Sequence, residues 1–158
     1  MARKRYYIAC IPEEPVFNRV LSEQQYLHTT YGLKAMFNSP PHITLYRPFE
    51  WEEDKEEQLL KALQAFRLYS SIPLNLNGFD GFPKRVLYIR VSPSKRLDET
   101  YYGLRSHLRI TLGLLNEFSN SYGFNPHITL AFRDLKPRQY DTIIAEYASK
   151  IFTDHFNL

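Results

Sequence analysis

The chain of 158 residues carries 20 Lys+Arg against 17 Asp+Glu, a formal charge of +3, with 44% hydrophobic and 23% charged residues. That is an ordinary globular composition, long enough to bury most of the unfolded surface without staples, and it lacks the basic footprint of a long-duplex DNA binder. One cysteine excludes an internal disulfide, and no stretch approaches the ~20 apolar residues of a membrane span.

In chain order, "RYYIACI" (5–11) predicts a first strand, rich in aromatic and β-branched letters and closed by Pro12. Cys10 lies in that apolar run and reads as a buried free thiol. Residues 14–32 place apolar letters at 16, 17, 20 and 21 and again at 26–27, a helical spacing stopped by Gly32. "PHITLYRPF" (41–49) alternates between prolines and predicts a strand with sharp ends. Residues 50–70 open acidic and close basic, with apolar letters at 59, 60, 63 and 66, and predict a second helix.

Two strand-like runs follow at 72–82 and 85–91, separated by Gly81 and Pro83. Residues 97–115 predict a third helix, 126–132 a further strand, and 136–151 a last helix with Pro137 near its start. The tail "FTDHFNL" has room for only the beginning of one more strand. This order predicts an α+β fold with helices outside antiparallel sheets. No linker or low-complexity segment divides the chain, so one domain over 1–158 is expected. The apolar run near the N-terminus is too short for a signal peptide and Glu13 and Glu14 follow it, so a cytoplasmic protein is expected.

The strongest sequence signal is a repeated word. Pro-His-Ile-Thr-Leu at 41–45 returns letter for letter at 126–130. On a strand, alternate residues share a face, so Ile43/Leu45 and Ile128/Leu130 suit a core while His42/Thr44 and His127/Thr129 face the other way. A single His-x-Thr would be no more than a half-exposed strand face. Packing alone would preserve the apolar letters of a duplication, yet here the polar letters are retained too. Two imidazoles titrating near pH ~6.5 supply a neutral base and a protonated acid together. The Thr hydroxyls can donate to the oxygens of an anion held between them. This chemistry suits a phosphodiester and needs no metal or other cofactor.

With this order of elements, the two "HIT" motifs, the opening "RYYIACIP", the "RVLYIRV" strand and the second motif followed by "AFR" resemble the 2H phosphoesterase superfamily. Within it the likeness is to the bacterial 2′-5′ RNA ligase-like and cyclic phosphodiesterase branch, and it covers nearly the whole chain. The resemblance implies a two-lobed α+β domain with pseudo-two-fold symmetry and a central cleft between two antiparallel sheets. It implies metal-free opening of 2′,3′-cyclic phosphates or 2′-5′ linkages on RNA ends or nucleotides, with His42, Thr44, His127 and Thr129 catalytic. It further implies His127 as base and His42 as acid. The expected partner is an RNA terminus or a small nucleotide bearing a cyclic phosphate, handled by a monomer away from membranes. Family members usually end on a full strand after the last helix, whereas here the sequence stops within "FTDHFNL".

Alternation past the motifs adds Tyr46 and Arg133 to the cleft face, the first to stack or hydrogen-bond, the second to pair with phosphate. In "RVLYIRV", Leu87, Ile89 and Val91 share one face and Tyr88 and Arg90 the other, which makes Tyr88 a candidate; the same reasoning gives Tyr7 in the first strand. His28 and His107 sit in helical patterns and His155 in the tail, and none has a second ligand at metal spacing. Two other readings stay open. One is an RNA ligase running the same chemistry backwards. The other is a non-catalytic RNA-end binder, against which the intact His and Thr of both copies argue, since binding calls more for cationic and stacking groups.

Overall fold

A computed structural model describes residues 2–67, 70–115 and 123–158. Its elements are β1 (Arg3–Cys10), α1 (Val16–Tyr31), β2 (Ile43–Glu52), α2 (Glu56–Ala65), β3 (Pro73–Phe82), β4 (Val86–Val91), α3 (Lys95–Leu112), β5 (His127–Ala131), α4 (Pro137–Tyr147) and β6 (Thr153–Asn157). Short 3-10 turns lie at Ala35–Asn38 and Glu53–Lys55. The α+β class expected from the sequence is the class observed. Among the described residues no helix is long and apolar enough to cross a membrane.

The chain divides into two compact units, each built from three stretches. The first comprises Met1–Ala9, Thr44–Ile72 and Pro93–Asn125; the second comprises Cys10–Ile43, Pro73–Ser92 and Pro126–Leu158. In the first, β1 and β2 are neighbouring strands and α2 packs against α3. Ser94 caps α3 by accepting from the Leu97 amide at 3.3 Å, and Gly113 ends it in the left-handed conformation that costs glycine nothing.

The second unit holds β5, β4, β3 and β6, paired antiparallel in that order, and Ile43 at the head of β2 pairs with Ile128 of β5. One face of these strands forms the core. Leu74, Leu76, Leu87, Ile89, Ile128 and Leu130 are all buried there. Val16, Val20 and Leu27 of α1 and Tyr140, Ile143 and Tyr147 of α4 are the buried faces of the covering helices. The other face carries the polar letters.

Two expectations need correction. The strands fall in one hydrogen-bonded order, β1-β2-β5-β4-β3-β6, and not in two separate sheets. The reason lies in β2, ten residues long, whose first residue pairs with β5 while the strand also neighbours β1. Next, the second helix starts at Glu56, not at 50, because β2 runs on to Glu52 and the Trp51 indole donates to the Lys55 carbonyl at 2.9 Å, closing a short turn. Its expected last residues include 68–69, which lie outside the described residues. The further strand that the tail could begin does form: it is β6, all five residues of which pair with Pro73–Asn77.

Candidate active site

The geometry starts from one residue pair. Ile43 stands opposite Ile128 across antiparallel strands, both fully buried. Continuing that register by one residue sets His42 across from Thr129, on the face away from the isoleucines. His127 is then the diagonal neighbour of His42. Such diagonals lie roughly 7–8 Å apart, so two imidazoles at those positions can reach one small group from two sides. Both histidines and Thr129 belong to the second unit. Thr44 opens the stretch of β2 assigned to the first unit, and strand alternation keeps it on the same side of its own strand as His42.

His42 follows Pro40 and Pro41, which cannot donate to a ladder and leave β2 to begin at Ile43. Its Nδ1 lies 2.7 Å from the Pro40 carbonyl. A carbonyl only accepts, so Nδ1 carries the proton in this bond. The loop leading to His42 is itself tied down: Asp134, just past β5, accepts from the Lys34 and Ala35 amides at 2.8 and 2.9 Å.

His127, the first residue of β5, sits in an aromatic corner. The Tyr88 ring is 4.7 Å from the imidazole at 44°, and Phe82 meets it edge-on at 5.3 Å. The ladders explain why. Tyr88 pairs with Thr129, Arg90 with His127, and Asp80 with Tyr88, so all lie on the polar face. The Thr129 carbonyl accepts from Nε2 of Gln24 at 3.0 Å, a side chain of α1 that is 2% exposed. A polar letter at position 24, within the stripe Val16, Val20, Leu27, was the sequence signal for this contact. Phe82 gave no signal without the β3–β4 register.

The remaining candidates separate. Tyr88 does line His127, but it is buried and packs against the ring rather than standing open. Tyr46 is not on an open face: it is 2% exposed, within the first unit, and its hydroxyl donates to the Leu114 carbonyl at 3.4 Å. Burial pushes its pKa up. It lines a groove of about 490 Å³ with Tyr102, Arg105, Ser106, Arg109 and Leu114. Tyr7, 40% exposed, is also in the first unit. Alternation does not reach Arg133, because β5 ends at Ala131 and the backbone turns left-handed at Arg133 (φ 54°), whose guanidinium lies 5.1 Å from the Phe132 ring.

His28 and His107 are packing residues, bonded to the Leu33 and Ala62 carbonyls at 2.8 and 2.7 Å. Cys10 is buried as expected, and burial pushes its thiol up to about 11, away from thiolate chemistry.

The model of the 2′-5′ RNA ligase superfamily matches residues 12–157. The chain belongs to this family, the 2H phosphoesterases. A Geobacillus sp. (strain WCH70) protein, named as a phosphoesterase, is 30% identical over 145 residues, covering 90% of this chain and 76% of that protein. A second of that name, from Geobacillus kaustophilus, is 27% identical over the same shares. In fold, the chain is similar to TT0787 of Thermus thermophilus (TM-score 0.66, 23% identity, 98% of this chain and 82% of that one) and to E. coli LigT (TM-score 0.63, 19% identity, 86% and 75%). Membership gives the two-histidine word at 42–44 and 127–129 its family context.

Proposed function

We propose that this 2H phosphoesterase is a metal-independent phosphodiesterase that opens 2′,3′-cyclic phosphates or 2′-5′ linkages on RNA ends or nucleotides. The observation that supports it is the Ile43–Ile128 register, which makes His42 and His127 diagonal neighbours on the polar face. In the reaction, His127 takes a proton from water as its oxygen attacks phosphorus. The bond from phosphorus to the 3′-oxygen breaks, and His42, protonated at Nε2, gives its proton to that oxygen. A 2′-phosphate results. Thr44 and Thr129 donate to the non-bridging oxygens as charge builds. Two imidazoles suffice for both proton transfers, so the mechanism calls on no metal.

A second reading is favoured by the family's description as RNA ligases. With an RNA 5′-hydroxyl in place of water, the same two groups would join ends instead of opening a ring. The test is a panel of 2′,3′-cyclic phosphates and 2′-5′ and 3′-5′ dinucleotides, incubated with EDTA and with and without a 5′-hydroxyl RNA, products identified by mass. Opening of the cyclic phosphates with EDTA present is expected. Turnover only on adding back a divalent cation would refute the metal-free mechanism, and no turnover of any member would leave a binder.

A further inference from the structure

We propose that Arg90 holds a second phosphate of the substrate, so that the favoured substrate carries another phosphate about one nucleotide from the reacting one. This rests on the two-histidine reading and says which molecules that site prefers. Arg90 of β4 pairs directly with His127 of β5, which puts both on the polar face with Cα atoms about 4.5–5.5 Å apart. Its head leans the other way, toward β3. There the ladder shifts register between Leu76 and Phe79, and Asn77 and Gly78 form the bulge. Nε of Arg90 donates to the Asn77 carbonyl at 3.0 Å, and Nη2 rests against Gly78.

Gly78 is built for that contact twice over. Its φ of 73° suits glycine, and a Cβ there would lie 3.0 Å from Nη2. The bulge thus fixes the plane of an exposed guanidinium on the face that carries both histidines. No Asp or Glu is paired with Arg90 among the described residues; Asp80, on the same face, turns Oδ1 back to the Gly81 amide at 2.8 Å. A pre-set guanidinium is the group that binds phosphate through two parallel N–H bonds. The lean toward β3 adds up to about two strand spacings, roughly 5–10 Å, to the separation from the reacting phosphate. An adjacent nucleotide's phosphate fits that step, and the reacting one does not.

An internucleotide linkage and a terminal 5′-phosphate both place that phosphate on the 5′-oxygen of the terminal nucleoside, as a diester or a monoester, and three substrates compare them. These are adenosine 2′,3′-cyclic phosphate, its 5′-phosphorylated form, and ApA ending in a 2′,3′-cyclic phosphate. The native protein, Arg90→Ala and Arg90→Lys are compared for kcat and KM on each. Arg90→Ala should raise KM roughly 10- to 100-fold on the substrate whose second phosphate it holds, with kcat nearly unchanged. The bare cyclic nucleotide should move by no more than about two-fold, and Arg90→Lys should recover only part, since Lys lacks the fork. Loss on both phosphorylated substrates supports the inference; loss confined to ApA further identifies an RNA end, and loss confined to the 5′-phosphorylated mononucleotide identifies a small nucleotide. Equal loss on all three substrates, or on none, overturns the inference while leaving the two-histidine reading standing. No turnover of any of them by the native protein overturns both.

Discussion

Gln24 is a polar side chain inside an apolar stripe, and its two ends fare differently. Nε2 satisfies the Thr129 carbonyl, but Oε1 is buried with no partner among the described residues. The hydrogen bond is worth about 0.5–1.5 kcal/mol, and an orphaned buried acceptor costs about 1–3 kcal/mol. The two nearly cancel, so stability alone does not account for an amide here. Replacing Gln24 with Met keeps the volume and removes both effects; the midpoint of urea unfolding should shift by no more than the equivalent of about 1 kcal/mol. Gln24→Ala opens a cavity as well and should cost about 2–4 kcal/mol. If Met proves as damaging as Ala, the amide is primarily structural. The residue scale is also where the sequence was most legible: the placement of His42, His127 and Thr129 on the face away from the isoleucines needed only the repeated word and strand alternation. Phe82 and Gly78 did not show, because their positions follow from the β3–β4 register and bulge, which no local pattern encodes.

Among elements, the packing of α1 on α4 is held by more than apolar contact. Glu146 of α4 accepts from the Tyr26 hydroxyl at 2.6 Å and from Tyr31, both on α1. Lys150 stands 3.3 Å from the same carboxylate and over the rings of Tyr26 and Tyr147, and Tyr147 donates to Glu23 of α1 at 2.8 Å. The Tyr26 and Tyr31 bonds, helped by Lys150, hold the Glu146 carboxyl below the usual carboxylate range, while Tyr31 is pushed up to about 12. A carboxylate whose folded pKa is depressed releases its proton more readily when folded than the ~4.3 of an unfolded Glu. Its contribution to stability is therefore complete above pH ~4.3 and disappears as pH falls through the lower, folded value. Glu146→Gln should lower Tm at pH 7 modestly and flatten the fall in Tm between about pH 5 and 3, measured by circular dichroism at low salt. An unchanged acid limb in the variant would show that other carboxylates set it.

Element boundaries were less legible than the site. The acidic opening of 50–57 looks like a helix start on charge alone, yet the first three of those residues continue β2, where Trp51 and Phe49 are half-buried. Strand partners outweighed the dipole pattern. The turn at Ala35–Asn38 also escaped notice, because what stabilises it, the Asp134 carboxylate, lies about a hundred residues away.

Across the whole molecule, each unit draws on three stretches of chain, so neither motif belongs to a contiguous half. The two copies of the word nevertheless meet at Ile43 and Ile128, and the proposed chemistry draws one imidazole from each. If one must be neutral and the other protonated, the rate should trace a bell in pH whose limbs belong to the coupled pair and not to either residue. Losing either His should cost about 10²–10⁴-fold in kcat; losing Thr129 should cost less, since in the proposed mechanism Thr44 would still hold the phosphate. Near-symmetry of the words hides which His is acid, but the surroundings differ. His42 is anchored at Nδ1 by the Pro40 carbonyl, while His127 is flanked by Tyr88 and Phe82. A substrate whose leaving oxygen needs no proton, such as a p-nitrophenyl phosphodiester, separates the roles. His42→Ala should recover most of its rate on that substrate and lose the alkaline limb of the bell, because only the acid has become dispensable. His127→Ala should recover nothing. The opposite pattern would exchange the two roles, and equal, unrecovered losses in both would mean that the proton transfers are not divided between them.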